Sequence, residues 1–79
     1  VKRANDVPFG LASYLLSKDV GHIFRVGEKL ESGVVGVNDF TPVAPQTPFG
    51  GWKESGMGRE GWHQGLDAYT EIKFMSIII

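Results

Sequence analysis

Apolar positions along the chain change their spacing twice, and each change marks an element. Leu11-Ala-Ser-Tyr-Leu-Leu16 is a short, nearly continuous apolar run, the pattern of a strand covered on both faces in a parallel sheet. From Asp19 to Ser32 the period becomes helical. Val20, Ile23, Phe24, Gly27 and Leu30 recur on one face, while Lys18, Arg25, Glu28 and Lys29 lie mostly elsewhere. Ser17 or Asp19 is suited to cap the start of this helix through a side-chain oxygen, and Gly33 suits a left-handed residue at its end. Val34-Val-Gly-Val37 then returns to a strand pattern. Strand, helix and strand in this order predict a βαβ unit with parallel strands and a right-handed crossover.

The flanks are less periodic. Residues Val1 to Gly10 read as the end of a helix followed by a turn, with Pro8 and Gly10 as punctuation. Asn38 to Met57 reads mostly as loop and contains Pro42, Pro45 and Pro48. A second short helix is expected over Glu60 to Ala68, and Ile72 to Ile79 reads as a closing strand rich in β-branched residues.

Composition narrows the function classes. Hydrophobic residues make up 42% and charged residues 22% of the 79 positions, a folded rather than a disordered balance. A chain this short has a marginal core of its own. Its first residue is Val1 rather than Met, which is expected of a truncated or processed chain. The net charge of -1 gives no electrostatic basis for nucleic acid or an anionic membrane. No apolar run approaches the roughly 20 residues of a spanning helix. There is no Cys, so this chain has no disulfide, no thiolate metal site and no Cys nucleophile, and a cytoplasmic setting is compatible.

Candidate chemistry is sparse. Gly56-Met-Gly-Arg-Glu-Gly61 matches G-x-G-x-x-G, but a phosphate loop needs a strand directly before it, and Phe49 to Ser55 does not read as one. His22 and His63 are too few and too far apart for a zinc site. None of the serines sits in G-x-S-x-G, and Glu54, Glu60 and Glu71 are lone carboxylates. No catalytic, cofactor-binding or metal-binding residue is therefore assigned. The proline-stiffened loop from Asp39 to Phe49 is the one segment that invites a ligand, because it leaves the C-terminal end of a parallel strand.

Four segments together resemble the C-terminal region of the aldehyde dehydrogenase superfamily. They are Gly10-Leu-Ala-Ser-Tyr-Leu-Leu-Ser-Lys-Asp19, Ser32-Gly-Val-Val-Gly-Val-Asn38, Pro48-Phe-Gly-Gly-Trp-Lys-Glu-Ser-Gly-Met-Gly-Arg-Glu-Gly61 and Gly65-Leu-Asp-Ala-Tyr-Thr-Glu-Ile-Lys73. The succinate-semialdehyde branch looks closest. The resemblance implies an α/β fold in which residues 1–70 are the C-terminal part of a catalytic domain, a βαβ fragment, and residues 71–79 are an oligomerisation strand. It implies NAD(P)-dependent oxidation of an aldehyde or semialdehyde to a carboxylic acid by a cytoplasmic homo-oligomer. The thiol nucleophile, the general base and the cofactor domain lie upstream, so this chain alone is expected to be inactive and to bind neither NAD nor NADP. Thr41, Val43 and Phe49 match substrate-tunnel positions. Arg59, Glu71, Ile72 and Phe74 match the subunit interface, where Arg59 and Glu71 are expected to form a buried pair. One position departs from the branch: Val43 stands where such members often place a Ser for the substrate carboxylate, and Val cannot donate a hydrogen bond. The contrasting expectation is a non-catalytic assembly module that acts through its C-terminal strand.

Overall fold

A computed structural model describes all 79 residues, Val1 to Ile79. Helix α1 (Lys2–Asn5) leads through a turn into strand β1 (Phe9–Gly10), and after a bend at Leu11 the chain continues as β2 (Ala12–Leu15). Helix α2 (Val20–Gly27), strand β3 (Val34–Val37), strand β4 (Trp52–Lys53) and helix α3 (Gln64–Asp67) follow. β2 and β3 are parallel, in register from Ala12 opposite Val34 to Leu15 opposite Val37. β1 and β4 are antiparallel, with Phe9 opposite Lys53 and Gly10 opposite Trp52.

The βαβ unit forms where the apolar spacing places it. Asp19 caps α2 by accepting a 2.8 Å hydrogen bond from the His22 backbone N–H, while the Ser17 hydroxyl accepts from the Asp19 N–H at 3.1 Å. The helix is shorter than its apolar period. It ends at Gly27, and the chain turns off through i→i+3 bonds from Lys29 to Val26 and from Leu30 to Gly27. The cap residue is Glu28 in right-handed conformation, and Gly33 has no positive φ. The expected left-handed cap at Gly33 is therefore corrected: its lack of a side chain serves a close contact described below.

Parallel pairing extends past β3 through a side chain. The Asn38 N–H donates to the Leu15 carbonyl at 2.9 Å. Its side-chain amide then pairs reciprocally with the Ser17 backbone, accepting from the N–H at 3.0 Å and donating to the carbonyl at 2.7 Å. Asn38 sits at φ +54, a left-handed conformation that Asn adopts more readily than most residues.

The core is small. Leu30, 7% exposed, is the buried hydrophobic residue. Ser32 is also buried, its hydroxyl 2.9 Å from that of Ser13 and 3.1 Å from the Val34 carbonyl oxygen. On α2, Ile23, Val26 and Gly27 are partly covered, whereas Val20 and Phe24 are 65% and 63% exposed. β2 alternates exposed and partly buried residues, so only one of its faces is covered. That corrects the expectation of cover on both faces of this strand. The physical reason is scale. The chain exposes 6783 Å², whereas a compact protein of its mass exposes about 4,700 Å². Its radius of gyration is 16.8 Å, against about 12 Å for a compact domain of this length.

Residues 70–79 hold no regular secondary structure. Ile72 to Ile79 has no partner strand within the chain, so the closing strand expected there does not form in isolation. No helix is long and apolar enough to cross a membrane.

We expect the 79-residue chain alone to lack a cooperative thermal transition, because so little apolar area leaves water on folding. Near-ultraviolet circular dichroism of the isolated chain checks this, and a sharp sigmoidal melt would contradict it.

Candidate functional site

The loop from Asn38 to Phe49 is built from two local turns and a bridge. The Asp39 carboxylate accepts from the Thr41 backbone N–H at 2.8 Å and from its hydroxyl at 3.3 Å, closing an Asx turn. The Thr47 hydroxyl donates to the Ala44 carbonyl at 2.8 Å and accepts from the Ala44 N–H at 3.3 Å. Phe49 and Glu60 then exchange both backbone hydrogen bonds, at 2.8 and 2.7 Å. This bridge closes residues 49–60 into a loop whose ends are fixed together.

Two concavities flank the bridge. The first, about 410 Å³, is lined by Val43, Ala44, Pro45, Thr47, Phe49, Glu60 and Gly61. The second, about 570 Å³, lies on the other side and is formed by the glycine-rich loop with Leu11, Gly65, Ala68 and Tyr69. Phe49, Glu60 and Gly61 belong to both.

Of the expected substrate positions, Val43 and Phe49 meet in the smaller concavity. Thr41 lies outside it, its hydroxyl turned to Asp39. Ala44, Pro45, Thr47, Glu60 and Gly61 complete the wall, none of them assigned to it from the sequence. The usable signal was Thr47 in Ala-Pro-Gln-Thr, where a hydroxyl three residues on closes a turn. Gly61 is at φ +73, and a Cβ there would stand 2.9 Å from the Thr47 carbonyl oxygen.

The glycines of Gly56-Met-Gly-Arg-Glu-Gly61 serve the turn. Gly56, Gly58 and Gly61 all have positive φ, and Arg59 donates to the carbonyls of Gly51 at 3.0 Å and Gly58 at 2.7 Å. A two-residue strand, Trp52–Lys53, does precede this segment, which corrects the reading of Phe49 to Ser55 as strandless. It leads into a turn rather than a helix, and the helix that follows begins only at Gln64 and is four residues long. These residues do not fit a dinucleotide pyrophosphate, which needs strand, glycine turn and helix N-terminus in direct succession.

The expected Arg59–Glu71 pair is absent from this chain. Arg59 spends its hydrogen bonds on the carbonyls named above, Glu71 is exposed, and the ion pair present joins Lys53 to Glu31 at 2.6 Å. Ile72 and Phe74 are 102% and 89% exposed.

Residues 1–75 match the model of the aldehyde dehydrogenase family. The chain belongs to that family. It is 49% identical over 77 residues to a succinate-semialdehyde dehydrogenase [NADP(+)] of Escherichia coli, covering 98% of this chain and 16% of that protein. A succinate-semialdehyde dehydrogenase structure from Burkholderia pseudomallei superposes with a TM-score of 0.82 at 53% identity, over 86% of this chain and 14% of that one. A betaine aldehyde dehydrogenase from Staphylococcus aureus, solved with NAD+, superposes with a TM-score of 0.82 at 48% identity over the same shares. The chain thus spans about one-sixth of the length of these aldehyde dehydrogenases, and its small α/β unit is one they share.

In this aldehyde dehydrogenase unit the loop is seated by backbone contact. A Cβ on Gly33 would collide with the Gly50 carbonyl oxygen and stand 3.3 Å from the Gly51 Cα. Backbone cannot yield as a side chain can. Gly33→Ala in a full-length enzyme carrying this sequence should therefore cost about 1–3 kcal/mol, read as a lowered denaturant midpoint with an unchanged slope. An unaltered midpoint would show that the loop does not rest on Gly33.

Proposed function

We propose that the chain is the C-terminal part of an NAD(P)-dependent aldehyde dehydrogenase that oxidises an aldehyde or semialdehyde to a carboxylic acid. In this reading residues 1–70 belong to a catalytic domain of a cytoplasmic enzyme, and residues 71–79 are its oligomerisation strand. The observation that carries it is the meeting of Val43 and Phe49 in one concavity, on the loop that leaves the C-terminal end of β3, where ligands bind in α/β sheets.

The chain has no Cys to act as nucleophile, so its work is to hold and orient substrate. NAD or NADP supplies the hydride acceptor in the whole enzyme. Phe49 offers a rigid aromatic wall because its backbone is bridged on both sides to Glu60. Val43 widens that wall without offering a hydrogen bond. With Thr41 committed to Asp39, Glu60 is the one charged residue lining the concavity. A substrate carboxylate gains no partner here, so residues outside this chain must meet it. This agrees with relatives of nearly equal identity being named for succinate semialdehyde and for betaine aldehyde, which carry opposite charges at the distal end.

Phe49→Ala in the full-length enzyme should lower kcat/KM by on the order of a hundredfold through lost positioning. Val43→Ser should raise kcat/KM for succinate semialdehyde relative to a neutral aldehyde of matching length. Steady-state kinetics decide both, and an unchanged ratio for Val43→Ser would sink the pocket assignment.

The tail supports assembly by its own chemistry. Ile72, Phe74 and Ile77-Ile-Ile79 are exposed in a segment with no strand partner. Such a segment invites pairing with another chain. Glu71, exposed and in no ion pair here, is then available to a partner across the same interface. The full-length enzyme lacking Ile72 to Ile79 should lose oligomeric mass or solubility in light scattering. Retention of both would remove the tail from the assembly.

A further inference from the structure

We infer that Lys53 is a positioning residue, one that clamps the strand behind Phe49 and so sets where the aromatic wall stands. The inference rests on the aldehyde-oxidation reading for its catalytic consequence, and on geometry alone for the clamp itself.

Lys53 occupies a left-handed conformation at φ +53, uncommon for a residue with a long side chain. Such a conformation persists only where its surroundings over-determine it. Here they do so through the ammonium group. Its three donors find three acceptors: the Asn5 carbonyl at 2.8 Å, the Val7 carbonyl at 3.3 Å and the Glu31 carboxylate at 2.6 Å. These acceptors come from the end of α1, from the turn after it and from the joint between α2 and β3. A second side chain ties the same parts together: the Asn5 amide donates to the Lys29 carbonyl at 2.7 Å and accepts from the Glu31 N–H at 2.9 Å.

The clamp sits at one end of a short band. Trp52 and Lys53 pair with Gly10 and Phe9, the Glu54 N–H donates to the Pro8 carbonyl at 2.9 Å, and the Ser55 hydroxyl accepts from the Gly10 N–H at 2.9 Å. At the other end Gly50 rests on Gly33, and Phe49 follows directly. A two-residue strand has too few ladder bonds to fix its own register. With the ammonium removed, the band can shift along β1, and Phe49 shifts with it. Arginine does not replace the group, because its planar fork cannot meet three divergent acceptors.

The test uses the full-length enzyme carrying Lys53→Met, with Glu31→Gln as a milder variant that keeps the fold if the first does not. Amide hydrogen exchange over residues 49–55 reads the clamp whatever the activity. Both variants should exchange faster there than the wild type, while residues 34–37 of β3 stay protected. The ratio of kcat/KM for hexanal to that for acetaldehyde reads the consequence, and it is independent of how much enzyme is folded. It should fall by about tenfold in Lys53→Met, since only the longer aldehyde reaches the displaced wall. Unchanged exchange in both variants, or faster exchange with an unaltered ratio, overturns the proposal. A wild-type enzyme that oxidises neither of these aldehydes nor succinate semialdehyde overturns the functional reading instead, and its exchange data still decide whether Lys53 clamps the band.

Discussion

Three glycine backbones meet where the two small sheets join, and the site exists because they can. Gly10 pairs with Trp52 in one ladder and, just ahead of the other, accepts from the Gly33 N–H at 3.0 Å. A Cβ on Gly10 would strike the Glu31 carbonyl, and one on Gly33 would strike that of Gly50. With no side chains between them, the kinked strand through β1 and β2 belongs to both sheets at once. The parallel pair thereby supports the loop of residues 49–60 rather than merely preceding it. Any larger residue at these positions would separate the loop from the sheet that aims it.

That economy of contact explains why the unit is ordered yet nearly coreless. Leu30 is the buried hydrophobic residue, while Phe9, Leu16, Val20, Phe24 and Leu66 keep between 58% and 66% of their surface in water. Side chains of this kind are costly to leave wet. Polar contacts, several between distant parts of the chain, supplement this small core: the Asp19 cap, the Asn38–Ser17 pair, the Asn5 and Lys53 contacts and the Arg59 hydrogen bonds. Under the proposed function these apolar faces seat other parts of the enzyme, in keeping with the small share of its relatives that this chain spans.

Elements whose signal is periodic were legible in the sequence; elements made by distant contact were not. The run at Leu11–Leu16, the helical spacing after Asp19 and the apolar Val34–Val37 each encode a strand or helix locally, and each forms. The family signature was equally plain in Pro48 to Gly61, because many glycines at fixed spacing record a backbone path. By contrast β4 is two residues long and owes its existence to β1, more than forty positions earlier in the chain. The role of Gly33 was misread for the same reason: a glycine after a helix looks like a cap, and only the approach of Gly50 shows otherwise. Thr41 and Val43 looked equivalent as loop positions two apart, until the Asx turn drew one hydroxyl to Asp39 and left the other side chain in the concavity.

The two halves of the wall are held by different means, and this bears on how it can vary. Phe49 is fixed by a reciprocal backbone bridge, by the glycine contact beside it and by the loop that Arg59 ties. Val43 lies on a segment held by turns that close over two or three residues and by one 3.3 Å bond from the Trp62 N–H to the Pro45 carbonyl, and it is 68% exposed. Val43 lines the concavity from an exposed position, so under the proposed function its side chain is free to change with the substrate's tail. Replacing Phe49 alters a residue whose backbone joins both concavities. A surface loop on a rigid support is the usual place for specificity to diverge while the support stays the same. Under the proposed function the division falls between residues 43–47, which set the breadth of the wall, and residues 49–60, which set its position.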